Sequence, residues 1–179
     1  MSILMLLGFS LVEQIWFSFQ PLLSAAGMRP FEVGLSYAFG ACASVIGARI
    51  GKWLMVGHRD ALAFSLAVAV CARGGLLFAV AAAPGLVVTA QIVTCVGFGI
   101  IASSRGSILN AYFPSAQRDV CLSIFSSTEA VLSGLMGMTL GYIYENYHRS
   151  LAPTIVATAC LLLVPFAYRS LRRIKTLGL

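Results

Sequence analysis

Apolar residues run through this chain in six long blocks, roughly 3–24, 33–55, 61–82, 86–107, 120–142 and 152–168, with short polar joins between them. Each block approaches the ~20 apolar residues that an α-helix needs to span a bilayer. The joins leave little room for anything else, so nearly the whole chain is expected to be helix. Their chemistry fits helix ends. In "AAGMRPFEVG", Gly27 and Pro30 stop one helix and start the next. Pro84-Gly85 punctuates a tight turn in "AAAPGL". "NAYFPSAQRD" joins the fourth and fifth blocks and "YENYHRSLAP" the fifth and sixth, where Pro153 suits a first helical turn. Pro165 either kinks the last block or marks its inner end. The expected fold class is an all-α membrane protein, a single six-transmembrane-helix bundle over residues 1–179.

Composition sharpens this picture. Only 10% of the 179 residues are charged and 59% are hydrophobic, whereas a soluble domain carries about 25% charged residues. Too few charges remain to cover a globular surface. The net charge of +6 therefore speaks to topology and not to nucleic acid. Arg49, Lys52, Arg59, Arg105, Arg118, Arg169, Arg172, Arg173 and Lys175 fall at the ends of even-numbered blocks or after them, while Arg29 and Arg149 follow odd ones and Arg73 lies inside the third. The positive-inside rule places both termini in the cytoplasm, as expected of a multi-pass protein of the plasma (inner) membrane. The tail "RSLRRIK" reads as a topology anchor touching anionic headgroups. The opening "MSILMLLGFSL" lacks a basic leader, and Glu13 and Gln14 interrupt its apolar run, so a first transmembrane helix is expected there and not a signal peptide.

Five scattered cysteines, Cys42, Cys71, Cys95, Cys121 and Cys160, show no CxxC spacing. They are expected to be small packing residues, with no disulfide framework and no metal site. His58 and His148 fall on opposite sides of the membrane. No cofactor is expected, because no phosphate-binding loop of the GxxxxGK type occurs. Gly47-Ala-Arg-Ile-Gly51 and Gly137-Met-Thr-Leu-Gly141 are GxxxG segments, and Gly40, Ser44 and Ala48 share one face. Such faces are expected to pack helices closely inside the bundle.

The informative residues are the ionisable ones well inside blocks: Glu13, Arg73 and Glu129. At the bilayer centre each costs at least ~2.5–3.5 kcal/mol on the insertion scale, so each should face the bundle interior. Glu13, Trp16/Phe17, Gln20 and Ser24 recur on one helical face, as do Ser126, Glu129 and Ser133. Two readings stand side by side. In the structural one, Arg73 pairs with one glutamate and ties helices together. In the other, Glu13, Trp16, Gln20, Arg73 and Glu129 line a substrate and proton pathway. Two acids facing one base leave a carboxylate without a full charge partner, and burial suits that group to carrying a proton.

Three joins together resemble the carboxy-terminal half of a major facilitator superfamily transporter. "GMRPFEVG" is similar to the family's outer G-x-s-x-x-x-x-G join, through Gly27 and Gly34. "GARIGKWLMVGHRDAL" resembles the second copy of its cytoplasmic signature loop, through Gly47, Gly51, Gly57 and Arg59, although Lys52-Trp53 stands where an acid is usual. "FPSAQRDVCLS" resembles P-x-x-x-R-x-x-x-L-S, through Pro114, Arg118, Leu122 and Ser123. The resemblance implies a secondary transporter half that moves a small molecule by alternating access with proton coupling. Its partners would be the lipid bilayer, a small-molecule substrate, and a second copy (a homodimer) or a separate amino-terminal half. The alternative it leaves open is a fragment of a twelve-helix transporter with no activity alone. An enzyme is not expected: no GxSG-type serine motif occurs, and neither histidine lies in a block. A channel is disfavoured by the lack of a carbonyl filter loop or a ring of acids.

Overall fold

The computed structural model describes residues 2–56, 59–81, 83–113, 115–148 and 150–176. Those residues are helical almost throughout: α1 (Ser2–Phe17), α2 (Phe19–Ala25), α3 (Pro30–Val56), α4 (Asp60–Val80), α5 (Pro84–Tyr112), α6 (Arg118–Asn146) and α7 (Leu151–Thr176), with one 3-10 turn at Ser115–Gln117. Among the described residues α3 to α7 are each long and apolar enough to cross a membrane. The protein is an all-α, multi-pass membrane bundle of six rods, the first of which is built from α1 and α2.

That first rod corrects the expectation of one uninterrupted helix over 3–24. Pro21 has no N–H to give the Phe17 carbonyl, and its ring crowds that carbonyl. The helix therefore stops at Phe17 and restarts at Phe19. Ser18 seals the break. Its amide is shared between the Gln14 and Ile15 carbonyls at 3.2 and 3.3 Å, and its hydroxyl donates to the Gln14 carbonyl at 2.8 Å. Elsewhere the breakers act as their chemistry dictates. Gly27 takes φ +77° at the turn before α3, and Pro84 occupies the first turn of α5. Pro165 does not end the last helix, which continues to Thr176.

Interhelical contacts show alternating directions. Positions 47 and 51 of α3 meet 96 and 100 of α5, so these two rods run parallel. Positions 74 and 97 of α4 and α5 meet 94 and 71, so those two run antiparallel. Helix α5 packs between α3 and α4, α4 packs on α7, and α1 leans on α7 and α6. In the most apolar stretch of each helix, 56% of α4 is buried but only 11% of α6. α4 is the hub and α6 the outlier.

Between α3 and α5 the backbones touch. A Cβ on Gly47 would lie 2.0 Å from the Val96 carbonyl oxygen, and one on Gly99 would lie 2.0 Å from that of Ser44. Ser44 Oγ donates to the Cys95 carbonyl at 3.1 Å across the same seam. The Gly47/Gly51 and Gly40/Ser44/Ala48 faces thus pack helices, as their spacing suggests. The Gly137/Gly141 face does not. Gly141 has nothing within 4 Å of its Cβ position, and Gly137 has only Gln14 Oε1, at 3.6 Å. All five cysteines are free; Cys71, Cys95 and Cys160 are buried packers, but Cys42 is exposed.

Candidate functional site

The space that α6 leaves is a cavity of about 680 Å³ between α1/α2 and α6, floored by α5. Its polar lining is Glu13, Gln14, Ser18, Arg105, Ser126, Glu129, Ser133 and Tyr144, set against Phe17, Pro21, Leu140 and the small residues Ala130, Gly134, Gly137 and Gly141. Glycine and alanine on one face of α6 keep its side chains from filling the gap. Pro21, just past the helix break, lines the opposite wall.

The polar groups are organised. Arg105 on α5 pairs through Nη2 with Glu129 Oε2 on α6, and its guanidinium lies 5.0 Å from the Phe9 ring centroid. The Glu129 side chain is only 5% exposed, and its second oxygen, Oε1, has no hydrogen-bond partner among the described residues. One turn further along α6, Ser133 Oγ donates to Glu13 Oε2 at 2.7 Å, and Gln14 Nε2 donates to the Ser133 carbonyl at 2.9 Å. Two carboxylates and one guanidinium thus share the cavity. Arg105 is committed to Glu129, and Glu13 is held by a neutral hydroxyl.

The structure therefore brings together two of the five expected pathway residues, Glu13 and Glu129, along with the Ser126/Glu129/Ser133 face. It separates the other three. Trp16 points away from the cavity and stacks on Phe98 with ring centroids 5.0 Å apart, beside Phe19 and Tyr37. Gln20 is exposed beyond the helix break. Arg73 is exposed on α4 and forms no ion pair among the described residues, so the expected pairing of Arg73 with a glutamate is corrected: the cation is Arg105.

The sequence pattern sets Arg105 at the inner edge of its block, among the charges that report topology. The signal that corrects it is the absence of any helix breaker stronger than Gly106 between Pro84-Gly85 and Pro114, which lets α5 run on to Tyr112. Gln14 reads in the sequence only as an interruption of the first apolar run, and no pattern marks Tyr144. Of the signature-loop matches, Gly47 and Gly51 lie within α3 against α5. Helix α3 continues beyond them to Val56. Arg59 lies 5.9 Å from the Trp53 ring centroid, and Arg118 opens α6, half-buried. Gly57 and Pro114 lie outside the described residues. Comparison with protein-family models, with curated proteins and with solved structures finds no match for the chain.

Proposed function

We propose that this chain is a secondary transporter, or one half of one, that takes a small cationic solute into the α1–α6 cavity and exchanges it for a proton by alternating access. The observation that carries this reading is a polar cavity with two carboxylates and one guanidinium inside a membrane bundle. Charged groups within a membrane bundle are costly and mark solute or proton paths. With Arg105 engaged by Glu129, Glu13 is the carboxylate without a cationic partner. A solute bearing an ammonium or guanidinium group would supply that partner, and a proton would replace the solute once it leaves. The resemblance of three joins to the carboxy-terminal half of the major facilitator superfamily supports the same reading. Several lining positions, among them Phe17, Ser126, Ala130 and Gly134, are exposed. A second copy, or a separate amino-terminal half, would close that side.

The test is proton movement out of proteoliposomes loaded with a pH-sensitive dye, on addition of a panel of small organic cations. Neutral sugars and organic anions serve as comparison. At least one cation should drive proton movement by the wild type, and Glu13→Gln should abolish it while leaving the protein folded. A response unchanged in Glu13→Gln, a response to anions alone, or silence across the panel would sink the proposal.

A further inference from the structure

A second groove, of about 490 Å³, lies on the far side of α5 from the cavity, between α3 and α5. Its lining is Val45, Ala48, Arg49, Lys52, Met55, Ser103 and Ser107. Arg49 and Lys52 sit one turn apart on α3 and are both exposed, and Ser103 and Ser107 sit one turn apart on the parallel helix α5. Neither cation has a carboxylate partner among the described residues. At 1.5 Å rise per residue, they lie roughly 10 and 6 Å inside the end of α3 at Val56. That depth matches a headgroup layer, and an independent marker lies on the same face: Trp53, four residues after Arg49, is 67% exposed and has Arg59 against its ring. Exposed tryptophans with cations settle at the membrane–water interface.

We infer that this groove binds the phosphate headgroup of an anionic glycerophospholipid. Arg49 and Lys52 supply the counter-charge, and the hydroxyls of Ser103 and Ser107 line the opposite wall. Val45, Ala48 and Met55 give the start of the acyl chains an apolar wall. Basic pockets between helices, at the depth of the lipid phosphates, select anionic lipid in this way. The site is separate from the α1–α6 cavity and does not depend on transport.

Trp53 provides the readout. The chain contains two tryptophans, so Trp16→Phe leaves Trp53 as the single reporter. That protein is reconstituted in zwitterionic lipid containing a small fraction of either a brominated anionic or a brominated zwitterionic phospholipid. At equal mole fraction, the anionic lipid should be enriched beside Trp53 on the order of ten-fold, as two juxtamembrane cations imply. Arg49→Gln with Lys52→Gln should bring the two lipids to parity, whereas the charge-retaining Arg49→Lys and the distant Arg172→Gln should preserve the preference. Equal quenching by both lipids in the parent protein overturns the proposal without recourse to any variant. So does a preference that survives the double substitution or disappears with Arg172→Gln. Loss of the preference on adding inorganic phosphate at constant ionic strength would assign the groove to a free anion and overturn the lipid assignment.

Discussion

The bundle has two flanks built from the same kinds of residue and put to opposite use. On one, α3, α5, α4 and α7 form a slab in which glycines bring backbones into contact. On the other, α6 stands off from α1 and α2, and its glycines border an open cavity. A GxxxG segment occurs on each side: Gly47/Gly51 meets a helix, and Gly137/Gly141 meets space. What separates them is the partner surface. Opposite Gly47 and Gly51, α5 presents Val96, Ile100 and its own Gly99, so two surfaces interlock. Opposite Gly137, α1 presents Gln14 and Glu13, which need hydrogen bonds and room. Small residues in a membrane helix allow close approach without enforcing it.

The largest effect should come from filling a glycine in the slab. Gly47→Leu drives a side chain into the Val96 carbonyl, 2.0 Å from the first added carbon. Backbone cannot yield as a side-chain tip can, so the loss should exceed the ~1–3 kcal/mol usual for overpacking. Gly141→Leu, with nothing within 4 Å, should unfold within ~1 kcal/mol of the parent. Thermal unfolding in detergent compares the two, and similar losses would erase the distinction between the flanks.

Next in size is the cavity's ion pair. Arg105→Leu leaves the nearly buried Glu129 carboxylate without its cation, at a cost of roughly 3–5 kcal/mol, and adding Glu129→Gln should recover much of it. Arg73→Leu, at an exposed position without an ion pair, should change stability by no more than ~0.5 kcal/mol. If Glu129→Gln rescues Arg73→Leu and not Arg105→Leu, the pairing described here is wrong.

The slab carries buried polar groups of its own, Gln91 among them. Gln91 is fully buried, and among the described residues neither its amide nitrogen nor its oxygen has a hydrogen-bond partner. Unpaired buried polar groups cost ~1–3 kcal/mol. Gln91→Leu, of similar size, should therefore raise stability by about 1–2 kcal/mol. A drop in unfolding temperature would show instead that the amide is engaged in the native protein.

The six rods were legible because length and hydropathy alone dictate membrane helices, and the joins carried ordinary breakers. The site was legible by half. The acids Glu13 and Glu129 stood out because a charge in an apolar run needs a polar surrounding, and Ser126, Glu129 and Ser133 share a face that survives in α6. Trp16 and Gln20 were grouped with Glu13 by helical phase. For Gln20 that phase fails at Ser18, where Pro21 interrupts the helix, whereas Trp16 shares α1 with Glu13 and is turned to Phe98 and Tyr37 by aromatic packing. Arg73 and Arg105 exchanged roles because hydropathy locates the middle of a helix better than its end. α5 runs past its apolar block to Tyr112 and carries Arg105 inside. Which helix faces which is a tertiary matter that a residue's own segment does not encode.

A small effect on stability, and the one that most sharpens the comparison of flanks, belongs to Pro21. In the native chain the Phe17 carbonyl receives no bond from position 21, and the next amide, Leu22, reaches the Ser18 carbonyl only at 3.4 Å. Pro21→Ala restores an N–H and removes the ring clash, which in a helix interior is worth ~3 kcal/mol. Phe19, Leu22 and Leu23 are already buried in the broken geometry, so straightening the rod would unseat them. The two terms oppose each other, and net stability should move by less than ~1 kcal/mol. The local consequence is larger. Backbone amides from Ser18 to Leu22 should exchange more slowly in Pro21→Ala, as read by hydrogen–deuterium exchange of the peptides covering that stretch, while α3 and α5 stay unchanged. Because Phe17, Ser18 and Pro21 all line the cavity, the same variant should alter solute-driven proton movement without altering the α3–α5 slab. Unchanged exchange at Ser18–Leu22 would mean that the break is set by the packing of Phe19 and Leu23 and not by the proline.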